Sequence, residues 1–243
     1  MSRFFADIEL AVGSVIALPE TIFHHWVRVL RAEVGEQATL FNGQGGEYRV
    51  QLTLINKKDA HVSINSFDPI DRNEPCFVTI GLVMSKGDRM DYAIQKATEL
   101  GVGDIQLLTS ERCEMRLKYD RDQKKIDHWQ GIAIAACEQC GLNRVPQIWP
   151  PLALLDWLPS SDAALKLVLA PIDAPDPLPA VLPLSIALLI GAEGGLSDAE
   201  LLAAEQAGFA RWQIGARVLR TETAPVVALA RLQALKFDVA TSP

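Results

Sequence analysis

Residues 186–200 read IALLIGAEGGLSDAE, and this stretch decides the fold. Ile186, Ala187, Leu188, Leu189 and Ile190 form a short apolar run without polar alternation, which predicts a strand buried on both faces. A tight glycine loop follows at Gly191, Gly194 and Gly195, and Ser197 and Glu200 then stand at the spacing of a capping box that opens a helix. Strand, loop and helix in that order predict a parallel α/β unit, whose strand-end loop is where such sheets bind ligands. The loop has neither the Gly-Lys-Ser/Thr of a Walker motif nor dinucleotide-loop spacing, and Glu193 disfavours a phosphate-rich ligand. Alone, it also reads as a plain strand-to-helix turn.

A second such unit lies downstream. Residues 214–225, IGARVLRTETAP, set Arg217, Arg220, Thr221, Glu222 and Thr223 between a strand expected at 211–214 and an apolar helix expected at 223–239. The bland reading is a cap at Thr223, a dipole partner at Glu222 and solvated arginines. Two loops facing the same sheet edge favour a ligand site. Outward from them, strands are expected at 77–84, 105–108 and 165–170, and helices at 88–100, 123–140 and 198–207, which gives a mainly parallel α/β sheet from residue 77 to 243.

Before residue 70 the pattern is different. Short strand-like runs at 38–41, 47–55 and 61–67 predict a small β barrel or sandwich, interrupted by one amphipathic helix at 20–30 with Ile22, Phe23, Trp26, Val27 and Leu30 inward. Residues 68–75, DPIDRNEP, are charged, bounded by proline and aperiodic; they place a domain boundary there, with a linker at 71–76.

The whole chain has 243 residues, 49% hydrophobic and 22% charged, which excludes disordered and low-complexity classes, and its formal net charge of −7 argues against sequence-independent nucleic-acid binding. A structured RNA met by a local basic surface stays possible, and Arg112, Arg116, Lys118, Arg121, Lys124, Lys125 and Arg144 mark where. Acidic residues inside the first apolar stretch and the lack of a long apolar run predict a cytoplasmic protein with no membrane segment. Cys137 and Cys140 form a lone C-x-x-C on the apolar stripe of a helix, which reads as buried thiols and not as a metal site. His24 and His25 read as a packed helix start or an RNA-facing surface, and Arg28 and Arg31, one helical turn apart, as a grip on phosphate or as solvated surface. Lys96 and Glu99 are expected to pair on their helix.

Over its whole length the chain resembles the RsmE-type family of 16S ribosomal RNA uridine-N3 methyltransferases of the SPOUT superfamily. The resemblance rests on the two loops above, on QKATELG at 95–101, SERC at 110–113 and AACEQCG at 135–141, and on HHWVRVLR at 24–31. It implies a PUA-like β-barrel domain at 1–70 and a SPOUT α/β domain at 77–243 with a deep trefoil knot, acting as a homodimer on 16S ribosomal RNA in the small ribosomal subunit. It also implies that S-adenosylmethionine is held by Leu169, Ala170, Pro171, Gly191, Glu193, Gly194, Gly195, Ile214, Gly215, Leu219, Arg220 and Thr221.

Under that reading Arg220 stabilises the charge left when uracil N3 loses its proton, and Glu222 accepts the proton or orients Arg220. RNA contacts are expected at Arg28, Arg31, Arg112, Arg116 and Arg144, and no metal is required. Two positions depart from the family pattern: Ala192 replaces the usual proline, and Leu142 an arginine common in the family. The alternatives are a methyltransferase for another RNA base and a non-catalytic RNA-binding or ribosome-assembly factor.

Overall fold

A computed structural model of the chain describes residues 2–73, 76–113, 115, 123–171 and 176–240, the last five by backbone only. It divides into two compact units, one of residues 1–73 with 137–145, the other of residues 74–136 with 146–243.

In the first unit β1 (Ser2–Phe5), β2 (Val15–Ala17), β3 (Gln37–Phe41), β4 (Glu47–Ile55) and β5 (Ala60–Asp68) form a five-stranded sheet in the order β1-β3-β4-β5-β2. Its ladder begins at β1 and ends at β2, so among the described residues the expected barrel is not closed by strand pairing. Ala60, Val62 and Ile64 alternate inward along β5, and Val50 and Leu52, two residues apart on β4 in the regular stretch between its two register shifts, face the same core. The helix expected at 20–30 is instead a single turn, α1 (Glu20–Ile22), continued by a π-helix at Phe23–Val29. Ile22, Phe23, Trp26 and Val27 are buried as expected, whereas Leu30 caps the helix and is exposed. Arg31 follows with φ of 58°, off the helix axis, so it does not share a turn with Arg28.

Residues 137–145 join this unit through polar contacts as well as packing. Arg3 donates to Glu47, to the Leu142 carbonyl at 2.9 Å and to Asn143. Arg72 donates to Glu47 at 2.7 Å, and Arg144 to Asp71 at 2.9 Å. The two units divide within the expected linker at 71–76, and its first three residues, Asp71, Arg72 and Asn73, are tied to the first unit by ion pairs and hydrogen bonds, which composition alone could not reveal. Leu142 is buried with Phe41 and Cys137, so the family departure at this position fills an apolar cluster.

The second unit is a six-stranded sheet in which every ladder is parallel. Its strands are β6 (Phe77–Val83), β7 (Asp104–Thr109), β8 (Gln147–Ala153), β9 (Leu165–Leu169), β10 (Ser185–Ile190) and β11 (Ala210–Trp212), in the order β11-β9-β10-β6-β7-β8. Between and after them come α2 (Arg89–Glu99), α3 (Gln123–Cys140), α4 (Leu154–Ser160), α5 (Asp198–Gln206) and α6 (Ala224–Ala240), with the last residues of α3 counted in the first unit. Lys96 and Glu99 pair at 2.7 Å on α2, and α6 reaches α2's end through Gln233, which donates to the Leu100 carbonyl at 3.0 Å. Because all strands run the same way, the loops after β6, β7, β9, β10 and β11 emerge at one edge. Among the described residues, no helix is long and apolar enough to cross a membrane.

Candidate functional site

The glycine loop after β10 is held from several directions. Gly195 donates to the Ala192 carbonyl at 2.8 Å to close a turn, and its φ of +67° is one that side chains rarely adopt. The expected capping box is present: Ser197 accepts from the Glu200 amide at 3.3 Å and Glu200 from the Ser197 amide at 2.8 Å. The other oxygen of the buried Glu200 carboxylate accepts from the Glu111 amide at 2.7 Å, which fastens the turn after β7 to the start of α5.

Two cavities open beside this loop. The smaller, about 450 Å³, is lined by Leu169 to Pro171, by the whole loop from Ile190 to Leu196, by Trp212 to Leu219, and by Thr221 and Ala224. Its walls are mostly apolar and its volume falls in the range of small-molecule sites. Among the described residues, no backbone amide from Ile214 to Leu219 donates to another backbone carbonyl, and the indole nitrogen of the buried Trp212 has no partner. The donor set therefore suits a ligand with a flat apolar body and several acceptor atoms, as S-adenosylmethionine is.

The larger cavity, about 1130 Å³, is lined by the loop after β6 from Met84 to Arg89, by Tyr92, Arg112 and Met115, and by Arg220, Glu222 and Thr223. Glu193 and Gly194 line both cavities. Glu193 is ion-paired with Arg89, and Arg112 donates to the Gly194 carbonyl at 2.9 Å. Arg220 lies 4.0 Å from Glu222; Arg220 is 78% exposed, whereas Glu222 is 16% exposed and has one carboxylate oxygen buried with no partner among the described residues.

All the residues expected to hold the cofactor line the smaller cavity except Arg220, which lines the larger one with Glu222. Of the arginines expected at RNA, Arg28 donates to the Lys57 carbonyl and lies over the Phe23 ring at 5.0 Å, and Arg144 is paired with Asp71. Arg116 lies outside the described residues. Cys137 is buried, and burial pushes its thiol up to about 12, but Cys140 is exposed, which corrects the expectation that both are internal. Sequence reasoning missed Lys86, Asp88, Arg89 and Tyr92. The available signal was their position directly after a buried strand, the same place as the glycine loop.

Residues 72–233 match the family described as an RNA methyltransferase domain, and residues 18–65 the one described as an RNA methyltransferase PUA domain. The chain is 33% identical to the ribosomal RNA small subunit methyltransferase E of Buchnera aphidicola, over 97% of this chain and 96% of that protein. Among solved structures, a ribosomal RNA small subunit methyltransferase E from Neisseria gonorrhoeae bound to S-adenosyl methionine is 37% identical, with a TM-score of 0.90 over 97% of this chain and 98% of that one. A methyltransferase from Legionella pneumophila, in complex with the bound cofactor SAM, is 38% identical with a TM-score of 0.91, covering 96% of both chains.

Proposed function

The chain belongs to the RNA methyltransferase family that includes ribosomal RNA small subunit methyltransferase E, and from that premise we propose that it methylates N3 of a uridine in 16S ribosomal RNA, within the small ribosomal subunit, using S-adenosylmethionine. The observation that carries this reading is the pair of cavities meeting at Glu193 and Gly194, one of cofactor size and one open enough for a nucleotide.

In the smaller cavity, Leu169, Ile190 and Leu196 offer apolar walls to an adenine ring, and the amides of residues 214–219 offer donors to its nitrogens and to ribose hydroxyls. Bound there, S-adenosylmethionine supplies a sulfonium methyl already activated for transfer. The protein's own contribution is alignment and preparation of the acceptor. Uracil N3 becomes nucleophilic when its proton leaves, and the proton goes to Glu222, whose buried oxygen has no competing donor. The negative charge then spreads over the flanking carbonyl oxygens, where the Arg220 guanidinium stabilises it. The N–C bond forms as the S–C bond breaks, with no further group consumed.

In the same reading the first unit docks RNA, with Arg28 and Arg31 among its phosphate contacts, and the protein works in the cytoplasm. The second unit takes the knotted SPOUT form. Support for this is that the segments after β9, β10 and β11 line one cavity, although β9 separates β10 from β11 in the sheet. The protein acts as a homodimer, a reading supported by the exposed apolar side chains of Val181, Leu184 and Val218.

Arg220→Ala tests the assignment. It is expected to abolish turnover while leaving affinity for S-adenosylmethionine within a few fold, measured by calorimetry; unchanged turnover removes Arg220 from the mechanism.

A further inference from the structure

We propose that Arg112 is a positioning residue that holds the cofactor loop in shape from the acceptor side, and that it does not serve as a phosphate contact; this rests on the cofactor reading of the smaller cavity. The Arg112 guanidinium donates to two carbonyls of the loop, Gly194 at 2.9 Å and Leu196 at 3.3 Å. Its stem lies flat against the loop: a Cβ added at Gly194 would meet the Arg112 Cβ at 3.3 Å and Cδ at 3.6 Å. Gly194 is thus the residue whose lack of a side chain lets the arginine approach.

The turn that carries Arg112 is itself anchored. The Glu111 amide donates to Glu200 at 2.7 Å, the Cys113 amide to Ser110 at 3.1 Å, and the buried Cys113 thiol to the Met84 carbonyl at 3.3 Å. An arginine mounted on a fixed turn, with its Nη1 shared between two carbonyls of a neighbouring loop, has little freedom left to follow an RNA backbone. Met84 and Arg112 line the acceptor cavity, and Gly194 lines both. Arg112 therefore sets the position of the wall across which the methyl passes. Both bonds leave from one terminal nitrogen, Nη1, at the far end of the arginine; a lysine keeps the charge, but its nitrogen ends one bond shorter and without the guanidinium plane.

The test uses the full chain and its Arg112→Ala and Arg112→Lys variants. Affinity for S-adenosylmethionine is measured without RNA, RNA affinity as a function of salt, and amide hydrogen exchange in the free protein over residues 191–196. Both variants are expected to bind S-adenosylmethionine about tenfold more weakly, the loss of roughly one charge-assisted hydrogen bond. Exchange over 191–196 is expected to speed up with no change in melting temperature, KM for the cofactor to rise more than KM for RNA, and the salt slope of RNA binding to stay as in the wild type. Wild-type cofactor affinity and exchange in Arg112→Ala, with a shallower salt slope rescued by Arg112→Lys, would overturn the proposal in favour of a phosphate contact. If the wild type binds no S-adenosylmethionine, the function proposed above fails, and the exchange measurement on the free protein still decides whether Arg112 holds the loop.

Discussion

Glu47 is almost fully buried between Arg3 and Arg72. Burial pushes its carboxyl up, but hydrogen bonds from both guanidinium groups, and their charges, outweigh that and hold it below the ordinary carboxylate value. A carboxyl lowered by folding contributes stability that is complete above its unfolded value and is lost as pH falls through the folded one. The melting temperature is therefore expected to drop as pH falls below the ordinary value of 4.5, and less steeply in Glu47→Ala. Near neutral pH that variant strands the mostly buried Arg3 without its carboxylate, at a cost of about 3–5 kcal/mol by denaturant titration. A loss under about 1 kcal/mol would show that the cluster is not a stabilising contact. The other residue-scale lesson is Arg220: the loop residues were legible as a set, but which of the two cavities each side chain joins depends on how the chain turns after Leu219, and no spacing rule encodes that.

Among the elements, the segment from β10 through α5 was the most legible, because each of its signals is local. An apolar run makes the strand, glycine makes the turn, and Ser197 and Glu200 satisfy each other's amides at the helix start. Ser197→Ala is expected to cost about 1 kcal/mol, read as a lowered melting temperature, with Glu200 still bound to the Glu111 amide. An unchanged melting temperature would mean that Glu200 alone caps the helix. Elements without local signals went unread. Trp149 is followed by Pro150 and Pro151, which speak against a strand, yet β8 forms because it is the edge of its sheet, where a missing donor is tolerated. The π-helix at Phe23–Val29 escaped because its buried positions also fit an α-helical stripe.

For the whole molecule, the α/β class and a change of architecture near residue 70 were visible in the alternation of strands and helices. The return of residues 137–145 to the first unit was not. It depends on Arg3 and Arg72 reaching Leu142, Asn143 and Gly141, contacts between residues far apart in the sequence. The larger cavity was hidden for the same reason, since parallel order alone brings the loop after β6 beside the loop after β10. The central claim is that the two adjoining cavities transfer a methyl group to a uridine of the small subunit. It is tested most directly by incubating the protein with labelled S-adenosylmethionine and unmodified small ribosomal subunits, digesting the RNA and identifying the labelled nucleoside. The account predicts N3-methyluridine, absent when Arg220 is replaced by alanine; label on another base, or none despite measurable cofactor binding, would contradict it.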